Sequence, residues 1–178
     1  GKDIQVVVAP VYQIEDLIKK HYGTDMGSIE EILKQLGGEI EFGAGGQELD
    51  VKALEAEANA TPIIRYVDLV LYQAIQDRAS DIHFEPFETE FKIRYRVDGA
   101  LYEMAPPPRH LAMPVISRIK VMSNLNIAER RLPQDGRIQK NIGNKPIDLR
   151  VSTLPTQYGQ SVVLRVLDRS SANLQLLQ

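Results

Sequence analysis

There is no cysteine in this 178-residue sequence. That absence removes disulfides, thiolate catalysis and cysteine-ligated zinc together, and it agrees with a reducing compartment. Any metal would need His and carboxylate ligands, and only three histidines are available. Long apolar runs are missing too. No stretch approaches the roughly 20 residues that cross a bilayer, and the opening GKDIQVVVAP has too short an apolar run and the wrong flanks for a signal peptide. A cytoplasmic protein is expected. Neither a G-x-S-x-G elbow for a nucleophilic serine nor a G-x-x-x-x-G-K-S/T loop for nucleotide phosphate occurs. The chain alone is therefore not expected to hydrolyse a nucleotide.

What is present is an ordinary folded composition, 43% hydrophobic and 25% charged, which suits one domain with a smaller attached piece. The formal charge of -3 conceals a division. Residues 1–91 hold 7 Lys and Arg against 18 Asp and Glu, whereas residues 92–178 hold 14 against 6, so only the second half would attract anions. Nucleic acid is not expected as a partner, because these basic residues are not interleaved with stacking aromatics and the isoelectric point is about 5.7.

IQVVVA at 4–9 reads as a short strand, and Ile14, Leu17, Ile18 and His21 recur at helical spacing up to Gly23. Ser28 and Glu31 form a capping-box pattern ahead of a short amphipathic helix ending at Gly37-Gly38, and GEIEFGAGGQELD then reads as a linker. The main domain begins where Thr61 can cap a helix with Pro62 in its first turn, and that helix is expected to reach about Arg78. SDIHFEP and FKIRYRVDG alternate as half-buried strands, the second followed by an Asp98-Gly99 turn and ALYEM. Leu111, Val115, Ile119 and Met122 mark another helix, with Pro114 tolerable in its first turn. GRIQKNI, a Gly143-Asn144 turn and KPIDLRVS form a hairpin, and SVVLRVLD is a final strand after the TQYGQ turn. Helix, strands, helix, strands predicts an α+β domain with a largely antiparallel sheet.

Asp81, His83 and Glu85 share one strand face, but neighbours two apart stand about 6.6 to 6.8 Å from each other. A solvated polar face is favoured over a metal site. Lys92, Arg94 and Arg96 likewise project from one face. ERRLPQDGRI places Arg130, Arg131 and Arg137 around a turn signal of Pro133, Asp135 and Gly136, the kind of cluster that meets oxyanions. Arg150 and Arg165 each interrupt an apolar strand. Each is either paired with an internal acid, such as Asp148 or Asp168, or presented to an outside oxyanion, and pattern alone favours the internal pair.

The ordered series RASDIHFEPFE, IRYRVDG, SRIKVMSNLNIAERRLPQDGRI and DLRVSTLPTQYGQSVVLRVLD resembles the second amino-terminal domain of the type II secretion and type IV pilus assembly ATPases. The likeness spans about residues 60–168. It implies a PAS-like fold there, the end of a first amino-terminal domain at 1–23, a short helix and flexible linker at 24–59, and the start of a linker to an ATPase domain at 169–178. The resemblance further implies that Arg150 and Arg165 reach the phosphates of ATP held by the protein's own carboxy-terminal ATPase domain, with Arg137 and Arg131 as secondary candidates. No metal site and no catalytic residue is implied in the chain itself. ATP and Mg belong to the full-length parent, and neither is expected on this portion alone. The partners implied are neighbouring subunits of a homo-hexamer, an inner-membrane platform and cytoplasmic assembly proteins, which puts the parent at the cytoplasmic side of the inner membrane. The competing reading is a non-enzymatic PAS-like sensor or docking module.

Overall fold

The computed structural model describes residues 51–142 and 145–167. The expectations for 1–50, for the Gly143-Asn144 turn and for 168–178 lie outside those residues. Helix α1, Val51–Ala58, was not marked by the sequence patterns; it buries Leu54 and Ala58. Helix α2, Thr61–Gln76, has Pro62 in its first turn, where the missing N–H costs nothing. Thr61 is not its cap: Ala60 occupies that position and no side chain caps the helix.

The helix also stops two residues short of Arg78. Arg78 takes a left-handed conformation (φ 55°), its N–H donates to Ile75 O and that of Ala79 to Ala74 O. These two bonds are a Schellman motif with arginine where glycine is usual. The second long helix repeats the device. Helix α3, Ala112–Met122, follows a 3₁₀ turn at Arg109–Leu111, carries Pro114 in its first turn, and ends with Asn124 at φ 56° and Leu125 N–H on Lys120 O.

Among the described residues, six strands make one antiparallel sheet: β1 Asp81–Pro86, β2 Phe91–Val97, β3 Ala100–Glu103, β4 Gln134–Ile142, β5 Lys145–Thr156 and β6 Gly159–Leu167. Their order across the sheet is β3-β2-β1-β6-β5-β4. The Asp98-Gly99 turn joins β2 to β3 with φ of 50° and 85°, the two positive values that a tight hairpin turn demands. The α+β class and the antiparallel sheet agree with the sequence expectation.

One face of the sheet is core. Ile82, Phe84, Phe91, Ile93, Leu149, Val162 and Leu164 are all 0% exposed and join Ile63, Val67, Leu71, Val115 and Ile119 of the helices in one cluster. Each such side chain contributes roughly 1.5 to 3 kcal/mol relative to an exposed position. Tyr95 adds a polar tie: its hydroxyl donates to Val70 O at 2.8 Å, joining β2 to α2. The segment 123–133 is fixed by Gln134, whose Oε1 accepts from Asn126 N and whose Nε2 donates to the carbonyls of Asn126 and Glu129.

Asp135-Gly136 is not a turn. Both residues lie in β4, opposite Ser152 and Val151. Glycine is required at 136 for approach rather than for flexibility: a Cβ there would stand 2.8 Å from Ser123 O and 2.9 Å from Leu125 Cδ2.

Candidate functional site

The face opposite the core is organised by strand register. Arg137 is paired with Arg150, Arg150 with Arg165, Arg165 with Asp81, and Asp81 with Arg96. Residues directly opposite across a ladder share a face. Five strands thus place one row of side chains, Arg137, Arg150, Arg165, Asp81 and Arg96, across the sheet.

Acids hold the two ends of the arginine run. Arg137 makes a bidentate pair with Asp148, whose side chain is 3% exposed, using Nε to Oδ1 and Nη2 to Oδ2. Arg165 Nε donates to Asp81 Oδ1 at 3.0 Å, while Arg96 Nε lies 3.4 Å from Asp81 Oδ2 and Ser80 Oγ donates to it. Burial alone would raise the Asp81 carboxyl, but hydrogen bonds from Arg165 and Ser80 and the two guanidinium charges outweigh it, so its pKa is lowered.

Arg150, between them, is exposed and has no carboxylate partner among the described residues. With Arg137 and Arg165 it lines an open groove of about 630 Å³, whose floor includes Gly136 and Val163 and which Ser152 and Asp135 border. Arg137 and Arg165 are each answered by an acid, and Asp135 at the border is bonded by Ser152 Oγ, so the charge left for an outside anion centres on Arg150.

The remaining candidates fall elsewhere. Arg131 is 91% exposed in its side chain, stands 3.8 Å from Glu129, and does not line the groove. Lys92, Arg94 and Arg96 are neutralised locally, Lys92 by Glu90 and Glu103, Arg94 by Glu85 and Arg96 by Asp81. Asp81 and Glu85 are thereby committed to arginines, and His83 stands between them with its pKa lowered by burial.

Of the internal pairs considered from sequence, Asp148 does pair, but with Arg137 rather than Arg150. Arg165 also pairs, with Asp81, an acid 84 residues away that sequence reasoning did not connect to it. The β1–β6 register is the only signal for that pair, and it forms only with the fold.

The family described as "Type II/IV secretion system protein" matches residues 56–178. The chain is 50% identical over 159 residues to "Type II secretion system protein E" of Xanthomonas campestris pv. campestris, covering 89% of this chain and 27% of that protein. It is 46% identical over 168 residues to the protein of that name from Aeromonas hydrophila, covering 93% and 33%. To "Type IV pilus assembly ATPase PilB" of Myxococcus xanthus it is 44% identical over 177 residues, covering 99% and 31%. The chain thus spans about a third of the length of these relatives. With 123 of its 178 residues inside the family match, this chain belongs to the type II/IV secretion system protein family.

Proposed function

We propose that this chain is the regulatory, nucleotide-closing portion of a secretion or pilus assembly motor, and that Arg150 and Arg165 meet the phosphates of ATP held by a carboxy-terminal ATPase domain. The observation that carries this reading is the arginine row: three guanidinium groups on adjacent strands, the central one without a carboxylate partner among the described residues, beside an open groove. Planar guanidinium groups suit phosphate oxygens geometrically and stabilise the charge that develops during phosphoryl transfer. Arg165, tethered by its Nε to Asp81, keeps its terminal nitrogens for an outside anion, and Arg137 extends the same surface. ATP and Mg would be supplied on the other domain. In a homo-hexamer on the cytoplasmic side of the inner membrane, a swing of this domain over bound ATP would transmit force to a membrane platform.

Among the described residues, no helix is long and apolar enough to cross a membrane. The test is ATP turnover by the full-length parent carrying Arg150→Ala or Arg165→Ala. A loss on the order of 100-fold to 1000-fold with the fold preserved supports the reading. Unchanged turnover in both variants returns the domain to a sensing or docking role.

A further inference from the structure

The arginines of the row are not held alike. Arg137 commits Nε and Nη2 together to the two oxygens of Asp148. Arg150 has no carboxylate partner among the described residues. Arg165 is intermediate: its Nε donates to Asp81 Oδ1 at 3.0 Å, and neither terminal nitrogen has a partner among the described residues. Its side chain is 68% exposed and lines the groove. A guanidinium gripped at Nε alone has its stem fixed and its outer nitrogens open.

The acid that grips it is itself held in place. Asp81 opens β1, opposite Arg165 of β6 on one side and Arg96 of β2 on the other. Its side chain is only 10% exposed. Ser80 Oγ donates to Oδ2 at 2.8 Å and Arg96 Nε stands 3.4 Å from the same oxygen, so Oδ1 is the one turned to Arg165. Ser80 is in turn tied to both flanking strands, its N–H donating to Arg96 O and its carbonyl accepting from Val166 N–H. One carboxylate between two guanidinium groups leaves Arg96, Asp81 and Arg165 with a net charge of +1, so the tether does not cancel the pull on an outside anion.

We propose, resting on the reading of Arg165 as a phosphate contact, that Asp81 is its positioning residue: by holding Nε it presents Nη1 and Nη2 to the groove in a fixed direction. Asp81 does not meet the phosphates itself and acts through Arg165. Fixed geometry counts most in the transition state, so the tether is expected in kcat rather than in KM.

Two measurements test it. In the 178-residue chain, water exchange of the arginine Nε–H protons is followed by NMR, with Arg165 and Arg150 assigned from their lysine variants. Arg165 Nε–H should exchange more slowly than Arg150 Nε–H, and Asp81→Ala should abolish the difference. In the full-length parent, Asp81→Ala should lower kcat for ATP roughly 10- to 100-fold with KM changed by less than about threefold. Placed on Arg165→Ala, the same substitution should lower kcat no further, because the group it positions is gone. Thermal melts accompany each variant. Asp81→Asn, of the same size, replaces the alanine where that variant lacks a cooperative transition, with the same pattern on a smaller scale because an amide oxygen is a weaker acceptor for guanidinium. Losses that multiply in the double variant would show Asp81 acting on the fold or through another residue, and would overturn the proposal. Equal exchange of the two Nε–H groups in the unsubstituted chain, or undiminished kcat in Asp81→Ala where Arg165→Ala is impaired, also overturns it. Undiminished turnover in Arg165→Ala removes the phosphate reading itself, and the positioning role with it.

Discussion

Arg150 and Arg165 stand directly opposite each other across the β5–β6 ladder, a like-charge pair in register. Such a pair is destabilising by a few tenths of a kcal/mol in the absence of an anion. Arg150→Ala is therefore expected to leave stability unchanged or raise it by up to about 0.5 kcal/mol in urea denaturation. A loss of more than 1 kcal/mol, by contrast, would mark Arg150 as a structural residue rather than a group presented to a ligand.

Asp81 is the acid that tethers Arg165 and Arg96, and its carboxyl pKa is lowered in the folded state. A lowered folded pKa contributes stability that is present above the ordinary carboxylate value and is lost as pH falls through the folded one. Asp81→Asn should cost about 1 to 2 kcal/mol at neutral pH and flatten the stability loss between about pH 5 and the acid transition. Denaturation curves of both proteins across that range provide the check. Parallel acid dependence would show that other carboxylates dominate it.

Gly136 sits where a Cβ would meet the Ser123 carbonyl and the Leu125 side chain, the first of which is backbone and cannot step aside cheaply. Gly136→Ala is expected to destabilise by about 1 to 3 kcal/mol, read as a lower thermal midpoint. A midpoint equal to the parent's would mean that the 123–125 segment yields without cost.

Lys120 is 1% exposed, and burial, reinforced by the Arg130 charge and opposed by Glu129, brings its pKa down to about 8. The unfolded chain holds this proton up to about 10.4, so between the two values the unfolded state binds more protons and stability rises with pH. Urea midpoints from about pH 7.5 to 9.5 should climb, staying below the range where tyrosines ionise in the unfolded chain. In Lys120→Met the climb should disappear. A flat profile in the parent would place the Lys120 ammonium in a better-solvated setting than its burial implies.

The parts of this architecture that the sequence carried are those set by local rules. Alternation in DIHFEP and FKIRYRV assigned their inward and outward faces because a strand repeats every two residues, and Pro62 marked a helix start because its ring suits the first turn. The first helix was expected to end at about Arg78, but the left-handed turns at Arg78 and Asn124 were not legible, since neither is the glycine usually found there. Asp135-Gly136 misled for a related reason: the dipeptide signals a turn, but here the glycine answers a long-range approach by Ser123 and Leu125. Arg150 and Arg165 stood out in their strands, yet nothing local joins Arg165 to Asp81 or sets Arg137 beside Arg150. Those relationships arise from cross-strand register.

The arginine row runs perpendicular to the strands, so the backbone attachment points of its members stand one interstrand distance apart, about 4.8 Å per step. Backbone hydrogen bonds set that interval, and no rotation of a single loop can change it. The sheet works as a ruler laid beside the groove. Under the proposed closing motion, a ligand long enough to touch two or three marks would meet all of them in one movement and lose all of them in its reversal. Contact would then be made in a single step, with little room for partial engagement.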